Sequence, residues 1–145
     1  MEIDANGLEV LGHAECLALM QTIPIGRVVF TEQALPAVQP VNFVLDGDSV
    51  VIRTAPGSKL AAATRGAVVA FETDDFDTTA GTGWSVTAVG QARAVRDPKE
   101  IARLSRLPLQ PWSPGPKEHF IRISCHRLTG RRIVPVAPGS GGQAA

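Results

Sequence analysis

The sequence predicts a mostly β domain in which antiparallel strands close into a barrel, with only two or three short helices. Three observations favour this fold class. Short runs rich in β-branched residues recur along the chain, and turn residues separate them. Asp46-Gly47-Asp48 is a hairpin signal, because glycine tolerates the positive φ of a tight turn. The strand-like runs do not alternate with long helical runs, so a doubly wound nucleotide-binding fold is disfavoured.

Three segments carry helical signals. The first, "GHAECLALMQT", has apolar residues at helical spacing and is closed off by Pro24. Ser58 is placed to cap a short second helix, "KLAAATR", because its hydroxyl can accept a hydrogen bond from a first-turn amide. Gly66 is well placed to end that helix. Asp97-Pro98 begins the third, an amphipathic helix reading "PKEIARLSRL".

The predicted strands fall around these helices. Five of them read, in order, "GRVVFTE", "AVQPVNFVLD", "SVVIRTA", "AVVAFETDD" and "WSVTAVGQARAVRD". A loop, "FDTTAGTG", precedes the last of these. Asp74, Asp75 and Asp77 cluster before it and are predicted to form a solvated turn, with contact to a cation or substrate as the alternative. A proline-rich link, "PLQPWSPGP", then leads to one final strand, "HFIRISCHRLTGRRI".

The length of 145 residues indicates one domain with enough chain to bury a core. We divide the chain into an N-terminal extension over residues 1–10, the domain over 11–134 and a tail over 135–145. The tail consists of small residues that bury too little area to offset the entropy of ordering. We therefore expect the tail to be disordered.

Charge and cysteine usage limit the classes of function. The formal net charge is zero and the isoelectric point is about 6.8, which disfavours a nucleic-acid partner. No apolar run is long enough to cross a membrane, and the N-terminus does not resemble a secretory signal. Cys16 and Cys125 stand far apart and are expected to be reduced thiols, with a disulfide as the minority interpretation. These features predict a cytoplasmic protein.

The stretch "VVIRTAPGSKLAAATRG" places cations and hydroxyls around a strand-to-helix turn. Arg53 and Thr54 end the strand, and Ser58 and Lys59 begin the helix. Free amides, the helix dipole and the two cations would suit a phosphate group. The alternative is an ordinary capped helix with two solvated cations, and this stretch taken alone favours that alternative. Its spacing matches neither a Walker loop nor GxGxxG.

Two further segments have a functional and a structural interpretation each. In "PAVQPVNFVLDGD", Pro40 could hold a strand out of the ladder and leave Asn42 free to meet a flat polar ring, or the segment is an ordinary edge strand. In "TGWSVTAVGQA", Trp84 offers an apolar plane and Ser85 a hydroxyl, although such a tryptophan more often lies in a core or an interface.

The order of these segments carries a family resemblance. Pro-Val-Asn-Phe, a strand ending in Arg-Thr, a Ser-Lys helix, Ala-Phe-Glu, Gly-Trp-Ser-Val and Gly-Gln-Ala follow one another along the chain. Together they resemble the pyridoxamine 5′-phosphate oxidase-like flavoproteins, the FMN-binding split-barrel family. The resemblance covers roughly Leu11 to Ile133.

The resemblance implies a six-stranded antiparallel split barrel that works as a homodimer and binds FMN between protomers. Hydride transfer at flavin N5 to an unknown small-molecule substrate would follow. The implied cofactor contacts divide into three groups. The ring would lie along Pro40, Val41, Asn42 and Phe43; the phosphate would meet Arg53, Thr54, Ser58 and Lys59; and the other protomer would supply Trp84 and Ser85.

One departure from the family pattern weakens a vitamin B6 activity. True pyridoxamine phosphate oxidases end in a tryptophan- and arginine-rich segment, whereas no tryptophan follows Trp112 here. Arg131 and Arg132 could mimic only part of that patch. His119 and His126 belong to no recognisable constellation, and metal binding is the less favoured interpretation for them.

Two rival functions stay open. Gly83-Trp84-Ser85 is similar to what some family members carry that use a deazaflavin coenzyme of the F-420 type as reductases. A binding protein that holds a flavin or haem without turnover fits the lack of an obvious acid–base residue equally well. A barrel with an empty groove is a third, weaker possibility.

Overall fold

The computed structural model describes residues 1–135, which form a single closed sheet with three short helices around it. The prediction of a disordered tail falls, except for Pro135, outside these residues. The elements are β1 (Glu2–Ile3), β2 (Glu9–Leu11), α1 (His13–Met20), β3 (Ile25–Glu32), β4 (Leu35–Asp46), β5 (Ser49–Thr54), α2 (Lys59–Thr64), β6 (Val68–Asp77), β7 (Thr82–Ala94), α3 (Pro98–Leu104), β8 (His119–Ser124) and β9 (Arg127–Ile133).

Six strands close into an antiparallel barrel, which confirms the predicted fold. The hydrogen-bonded order is β7-β6-β3-β4-β5-β8, and β8 pairs back onto β7 to complete the ring. β7 also pairs with β9 along Gly83–Val89, so the sheet continues outward through β9, β2 and β1. Among residues 1–135, no helix is long and apolar enough to span a membrane.

The first ten residues are part of this outward sheet. β1 pairs with β2, and β2 pairs with β9. The Asp4 carboxylate accepts a hydrogen bond from Arg131 at 2.9 Å and two from backbone amides of its own loop. The loop between β1 and β2 is therefore tied to β9 as well as to itself.

Tight turns connect the barrel hairpins. Gly47 follows β4 with a φ of 63°, as the predicted hairpin requires. Gln33 and Ala34 connect β3 to β4 with φ values of 50° and 64°. Positive φ at both positions is typical of a type I′ turn, which usually carries asparagine or glycine. The sequence contains neither residue there, so this turn retains backbone strain.

Side-chain caps begin two of the helices. The Ser58 hydroxyl accepts a hydrogen bond from the Ala61 amide at 3.0 Å, which confirms its predicted capping role at α2. The Asp97 carboxylate accepts one from the Lys99 amide at 3.0 Å, and Pro98 occupies the first turn of α3.

The chain departs from two of the expected boundaries. The predicted single final strand is two strands, because Cys125 and His126 turn the chain from β8 to β9. Half of the predicted glycine- and threonine-rich loop is strand, because β6 and β7 continue to pair as far as Asp77 and Thr82. Sequence periodicity did not detect this extension, since polar residues occupy both faces of the hairpin end.

The aspartate cluster is consequently not a solvated turn. Asp74 and Asp75 lie within β6, and the Asp74 carboxylate pairs with Arg27 of β3 at 3.2 Å. Asp77 alone shapes the turn, since its carboxylate accepts hydrogen bonds from the Thr79 and Ala80 amides at 3.0 Å each.

Two hydrophobic cores stabilise the barrel. The main core fills its interior and packs against α1 and α2, with Val28, Ile52, Phe71 and Ile123 fully buried. A smaller core lies outside the barrel wall, where Val51, Leu104, Leu109 and Phe120 pack together. This outer core attaches α3 and the proline-rich link to β5 and β8.

An ionic cluster anchors α3 beside the outer core. The Asp46 carboxylate, at the end of β4, accepts two hydrogen bonds from Arg103 of α3 at 2.9 and 2.7 Å. It accepts a third from Arg122 of β8 at 2.9 Å. The bonds from Arg103 first, and then those from Arg122, hold the pKa of Asp46 well below its ordinary value of 3.8.

We expect Asp46→Asn to lower the free energy of unfolding by about 1 kcal/mol, the scale of a partly exposed ionic network. Because the folded-state pKa of Asp46 is depressed, this stabilisation is present above pH 3.8 and is lost as the pH falls further. Urea unfolding at pH 7 and at pH 3 measures both effects. Asp48→Asn, across the same turn, is the matched control, and an equal loss in both variants would contradict the assignment.

Candidate functional site

A groove of about 320 Å³ opens where β4, β5, α2 and the proline-rich link meet. We call it the mouth groove. It contains five of the residues predicted to contact a cofactor, namely Pro40, Val41, Asn42, Arg53 and Thr54, together with Ile25, Gln39, Leu60, Pro111, Trp112, Ser113 and Lys117. Residues from distant parts of the sequence thus form one concave site.

The β4 wall of the mouth groove combines buried and polar positions. Val41 is buried, and the neighbouring Asn42 is half-buried. The Asn42 side chain is bonded at both ends: its amide nitrogen donates to the Pro24 carbonyl at 3.5 Å, and its oxygen accepts from the Trp112 amide at 2.9 Å. Asn42 therefore holds the link against the groove as well as lining it.

Phe43 is placed differently from its neighbours. Its side chain is buried in the barrel, where its ring meets that of Phe71 edge to face with centroids 4.7 Å apart. Successive residues of a strand point to opposite faces, so Phe43 and Asn42 face different ways. Phe43, unlike the three residues before it, is therefore not part of the mouth-groove lining.

Arg53 sits at the base of the mouth groove and connects it to the link. Its Nε donates to the Lys117 carbonyl at 3.1 Å and its Nη1 to the Leu109 carbonyl at 3.4 Å. The guanidinium carbon lies 5.0 Å from the centre of the Phe120 ring. A guanidinium has five N–H donors, so donors remain for an anion after these two contacts.

Hydroxyl groups continue the polar surface beyond Arg53. The Thr54 and Ser58 oxygens lie 3.0 Å apart, so a single proton serves their mutual hydrogen bond and the other hydroxyl proton is available to a ligand. Lys59 is exposed at the start of α2 and lies next to the groove rather than in its lining. With six residues, α2 offers only a small dipole, and the side chains carry most of the attraction for an anion.

The proline-rich link was not predicted to form part of the site. Trp112 lines the mouth groove, yet 70% of its surface is exposed. Lys117 also lines the groove, and its ammonium donates to the Pro114 carbonyl at 2.7 Å. A tryptophan in a segment otherwise rich in proline and serine was the available signal, because an exposed tryptophan commonly marks a contact surface.

Trp84 and Ser85 lie on β7, outside the mouth groove. Trp84 belongs to the main core and is 8% exposed. Ser85 faces outward, paired across the sheet with Asp74 and Arg131. The prediction that these two residues reach the groove of a second protomer stays a prediction, since one chain alone does not test it.

An apolar surface borders the mouth groove on the outer face of the β3–β4 hairpin. Val38 is 63% exposed, and Val29, which is also exposed, lies directly opposite it in the register. Pro36 and Pro40, on the same face as Val38, are exposed too. We call this surface the hairpin face, and Pro40 belongs both to it and to the groove.

Three charged side chains of the neighbouring strands β3 and β6 lie close together. Arg27 lies 3.3 Å from the Glu72 carboxylate and 3.2 Å from that of Asp74. Burial first, and then the neighbouring Asp74 carboxylate, raise the pKa of Glu72 to about 7 against the attraction of Arg27. The Glu72 carboxyl, on β6 opposite Thr87, therefore keeps its proton to a higher pH than an ordinary glutamate does.

The remaining candidate residues form no catalytic constellation. Arg132 pairs with Glu9 and Glu15 as Arg131 does with Asp4, so carboxylates of the chain itself already partner both arginines. Burial, followed by Arg96 and Arg65, lowers the pKa of His119. Within the described part of the chain, no group of three or more histidine, cysteine, aspartate or glutamate side chains is arranged to hold a metal ion.

Fold and groove together define a split-barrel protein with a cleft of about 320 Å³ between β4, β5, α2 and the proline-rich link. A sequence profile described as pyridoxamine 5′-phosphate oxidase matches residues 12–132. The chain belongs to this family, as the resemblance predicted.

Relatives agree with this assignment. Uncharacterized protein Rv0080 of Mycobacterium tuberculosis is 41% identical over 129 residues, which cover 86% of this chain and 84% of that protein. A solved structure of an FAD binding protein from Mycobacterium smegmatis is 37% identical with a TM-score of 0.73, covering 85% and 95% of the two chains. A conserved protein of unknown function from Corynebacterium diphtheriae, DIP1874, is 32% identical with a TM-score of 0.73, covering 88% and 98%.

We expect Asn42→Ala to release Trp112 from the mouth groove while the barrel stays folded, because the lost hydrogen bond contributes only about 1 kcal/mol. Hydrogen exchange at the Trp112 amide should accelerate several-fold. Gln39 lines the same groove, and Gln39→Ala is the matched control. Equal exchange rates in the two variants would show that Asn42 does not hold the link.

Proposed function

We propose that the protein is a flavin-dependent oxidoreductase that binds FMN in the mouth groove. The observation that carries this proposal is the meeting of the Val41–Asn42 strand with Arg53 and Thr54 in one groove. Family membership supports a flavin, and the FAD binding protein of Mycobacterium smegmatis is a relative with the same fold. The substrate would be a small molecule.

A bound flavin would supply hydride transfer at its N5 atom, and the chain's own residues would bind and orient it. Val41 and the backbone of β4 present a flat edge against which an aromatic ring can lie. Arg53, the Thr54–Ser58 hydroxyl pair and Lys59 would neutralise a phosphate carrying about −1.5 to −2 charges at neutral pH. Trp112 would cover the groove from the link side and exclude water.

The lining of the mouth groove fits a reaction carried by the cofactor. Among its described lining residues there is no histidine, aspartate, glutamate or cysteine. No carboxylate, imidazole or thiol is therefore supplied from this wall, and Lys117 is held by the Pro114 carbonyl. The same observation favours the second candidate, a protein that holds a flavin without turnover. Reduction of the bound flavin by a reductant and reoxidation by a defined acceptor would distinguish the enzyme from the binding protein.

We also propose that the protein works as a homodimer through the hairpin face. Val29 and Val38 place an exposed apolar surface beside the groove, and such surfaces mark contact sites. A groove of about 320 Å³ is at the lower limit for a ligand pocket, roughly 300–1,000 Å³, so a second wall would complete it. In such a dimer, the outward-facing Ser85 of the other copy would contribute to that wall, whereas Trp84 would support it from the core of its own protomer.

Lys59→Ala tests the phosphate assignment. Lys59 is exposed, so its loss should leave the fold intact while raising the dissociation constant for FMN about tenfold, the low end for a charge-assisted contact. Lys99→Ala, an exposed lysine of α3, is the matched control. Flavin fluorescence titration gives both constants, and equal values would remove Lys59 from the site. Arg53→Ala is less informative alone, because Arg53 also anchors the link.

The same titration with FMN, FAD and the deazaflavin coenzyme, after an absorbance spectrum of the purified protein, identifies the cofactor. Tight saturation by FMN at one per protomer supports the proposal. A preference for FAD would retain the oxidoreductase and change its cofactor, and a preference for the deazaflavin would make the protein a reductase using that coenzyme. Binding of none of them would overturn the proposed function.

Val38→Asp tests the dimer. A carboxylate in the centre of the hairpin face should convert the protein to a monomer by light scattering and weaken FMN binding together with it. Ile3→Asp places the same charge at an exposed apolar residue of β1, away from that face. A dimer that survives Val38→Asp would place the interface elsewhere.

A further inference from the structure

A second groove, of about 560 Å³, lies where the barrel splits. β7 pairs with β9 up to Val89 and with β8 from Ala92 onward. Between these points, at Gly90 and Gln91, β7 has no ladder partner on that side. The second groove shares no lining residue with the mouth groove, and we call it the basic groove.

Gly90 makes this arrangement possible. A Cβ atom at position 90 would lie 2.0 Å from the Ser124 carbonyl oxygen, closer than any real contact. β7 therefore presses its backbone against the end of β8, and the side chains on either side of Gly90 turn outward to line the cavity. Val89, Gln91 and Arg93 alternate along β7 and so share one face.

The polar lining of the basic groove is strongly positive. Arg93, Arg122, His126 and Arg127 line it, and no aspartate or glutamate does so among residues 1–135. Arg93 and Arg122 are directly opposite each other on neighbouring strands, where like charges destabilise a sheet. A negative charge close to the two guanidinium groups would offset this repulsion.

Only part of that charge is compensated within the chain. Arg122 pairs with Asp46 at 2.9 Å and with Glu100 at 3.5 Å. Arg93 donates only to the Gln91 side-chain oxygen, at 2.9 and 3.3 Å. In the described part of the chain, Arg93, His126 and Arg127 have no carboxylate within 4.0 Å, and residues 136–145 contain no acidic side chain.

The floor of the basic groove adds a second requirement. Val68, which is 71% exposed, and Val89 line it beside the cations. An inorganic ion would leave these side chains in water, whereas an apolar group would cover them. We infer that the basic groove binds a small organic anion, with its carboxylate or phosphate between Arg93 and Arg127 and its apolar body over the two valines.

An NMR titration of the ¹⁵N-labelled full-length protein tests this inference, with benzoate as the organic anion. We expect saturable shifts at the Gln91, Arg93, His126 and Arg127 amides. Benzyl alcohol, which lacks the charge, and inorganic phosphate, which lacks the ring, should each bind at least several-fold more weakly. Shifts scattered over the surface, or none at these four amides, would overturn the site. Equal binding of phosphate and benzoate would overturn the organic part of the ligand.

Variants separate the site from general electrostatics. Arg93→Gln and Arg127→Gln should each raise the benzoate dissociation constant about three- to fivefold, and the double variant about tenfold, as for exposed ion pairs. The effect should shrink with added salt. Arg106→Gln, an exposed arginine after α3, is the matched control and should change nothing. An unchanged constant in the double variant overturns the inference.

Saturating FMN distinguishes this site from the flavin site. Because the two grooves share no lining residue, benzoate shifts at Gln91 and Arg127 should persist with the same dissociation constant when FMN is bound. Competition between the two ligands would show that benzoate occupies the mouth groove instead. Failure of FMN to bind would leave the benzoate titration unaffected, so the two proposals fail independently.

Discussion

The three-way pairing of β7 is the constraint on which the architecture depends. One strand of 13 residues pairs with β6 from Thr82 to Gln91, and on its other side with β9 and then with β8. Only a residue without a side chain allows the change of partner at Gly90, because the backbone of β8 arrives where a Cβ would be. Closure of the barrel, the outward continuation to β1 and the gap at the split all follow from this geometry.

In the mouth groove, Arg53 and Asn42 each have two roles: they hold the proline-rich link in place and they line the groove. Arg53 anchors the link through two backbone carbonyls, rests on Phe120 and still has donors for an anion. Asn42 lines the groove and fastens Trp112 over it. A substitution at either position therefore alters the shape of the groove together with its chemistry, which is why Lys59, free of structural contacts, isolates the phosphate contribution more cleanly.

Much of this fold could be predicted from short sequence patterns. The Asp46-Gly47-Asp48 hairpin, the Ser58 cap and the Asp97-Pro98 helix start each depend on a few neighbouring residues, and all three were predicted from them. What the sequence did not predict depends on distant pairing. Trp112 and Lys117 meet the groove only because β8 lies beside β5, and Asp74 is a strand residue only because Ser85 pairs with it.

The residues of the candidate site also fall into those that local pairing brings together and those whose position depends on distant contacts. The order of the motifs predicted that Val41, Asn42, Arg53 and Thr54 meet, since consecutive β4 and β5 form a hairpin and bring them together. The positions of Trp84 and Ser85 relative to that groove depend on contacts between copies of the chain. Alternation along β7 does place Trp84 towards the core and Ser85 towards the outside. The core role of Trp84 could therefore have been predicted from the sequence.

The attachment of the link has a kinetic consequence. β3–β4, β4–β5 and β6–β7 are local hairpins, whereas β5 meets β8 only when Thr54 and His119 come together from distant parts of the chain. Contacts that close such long loops tend to form late in folding. The Arg53 anchor and the cover over the mouth groove would then be assembled after the main barrier. A ligand bound there should slow unfolding and leave the folding rate almost unchanged.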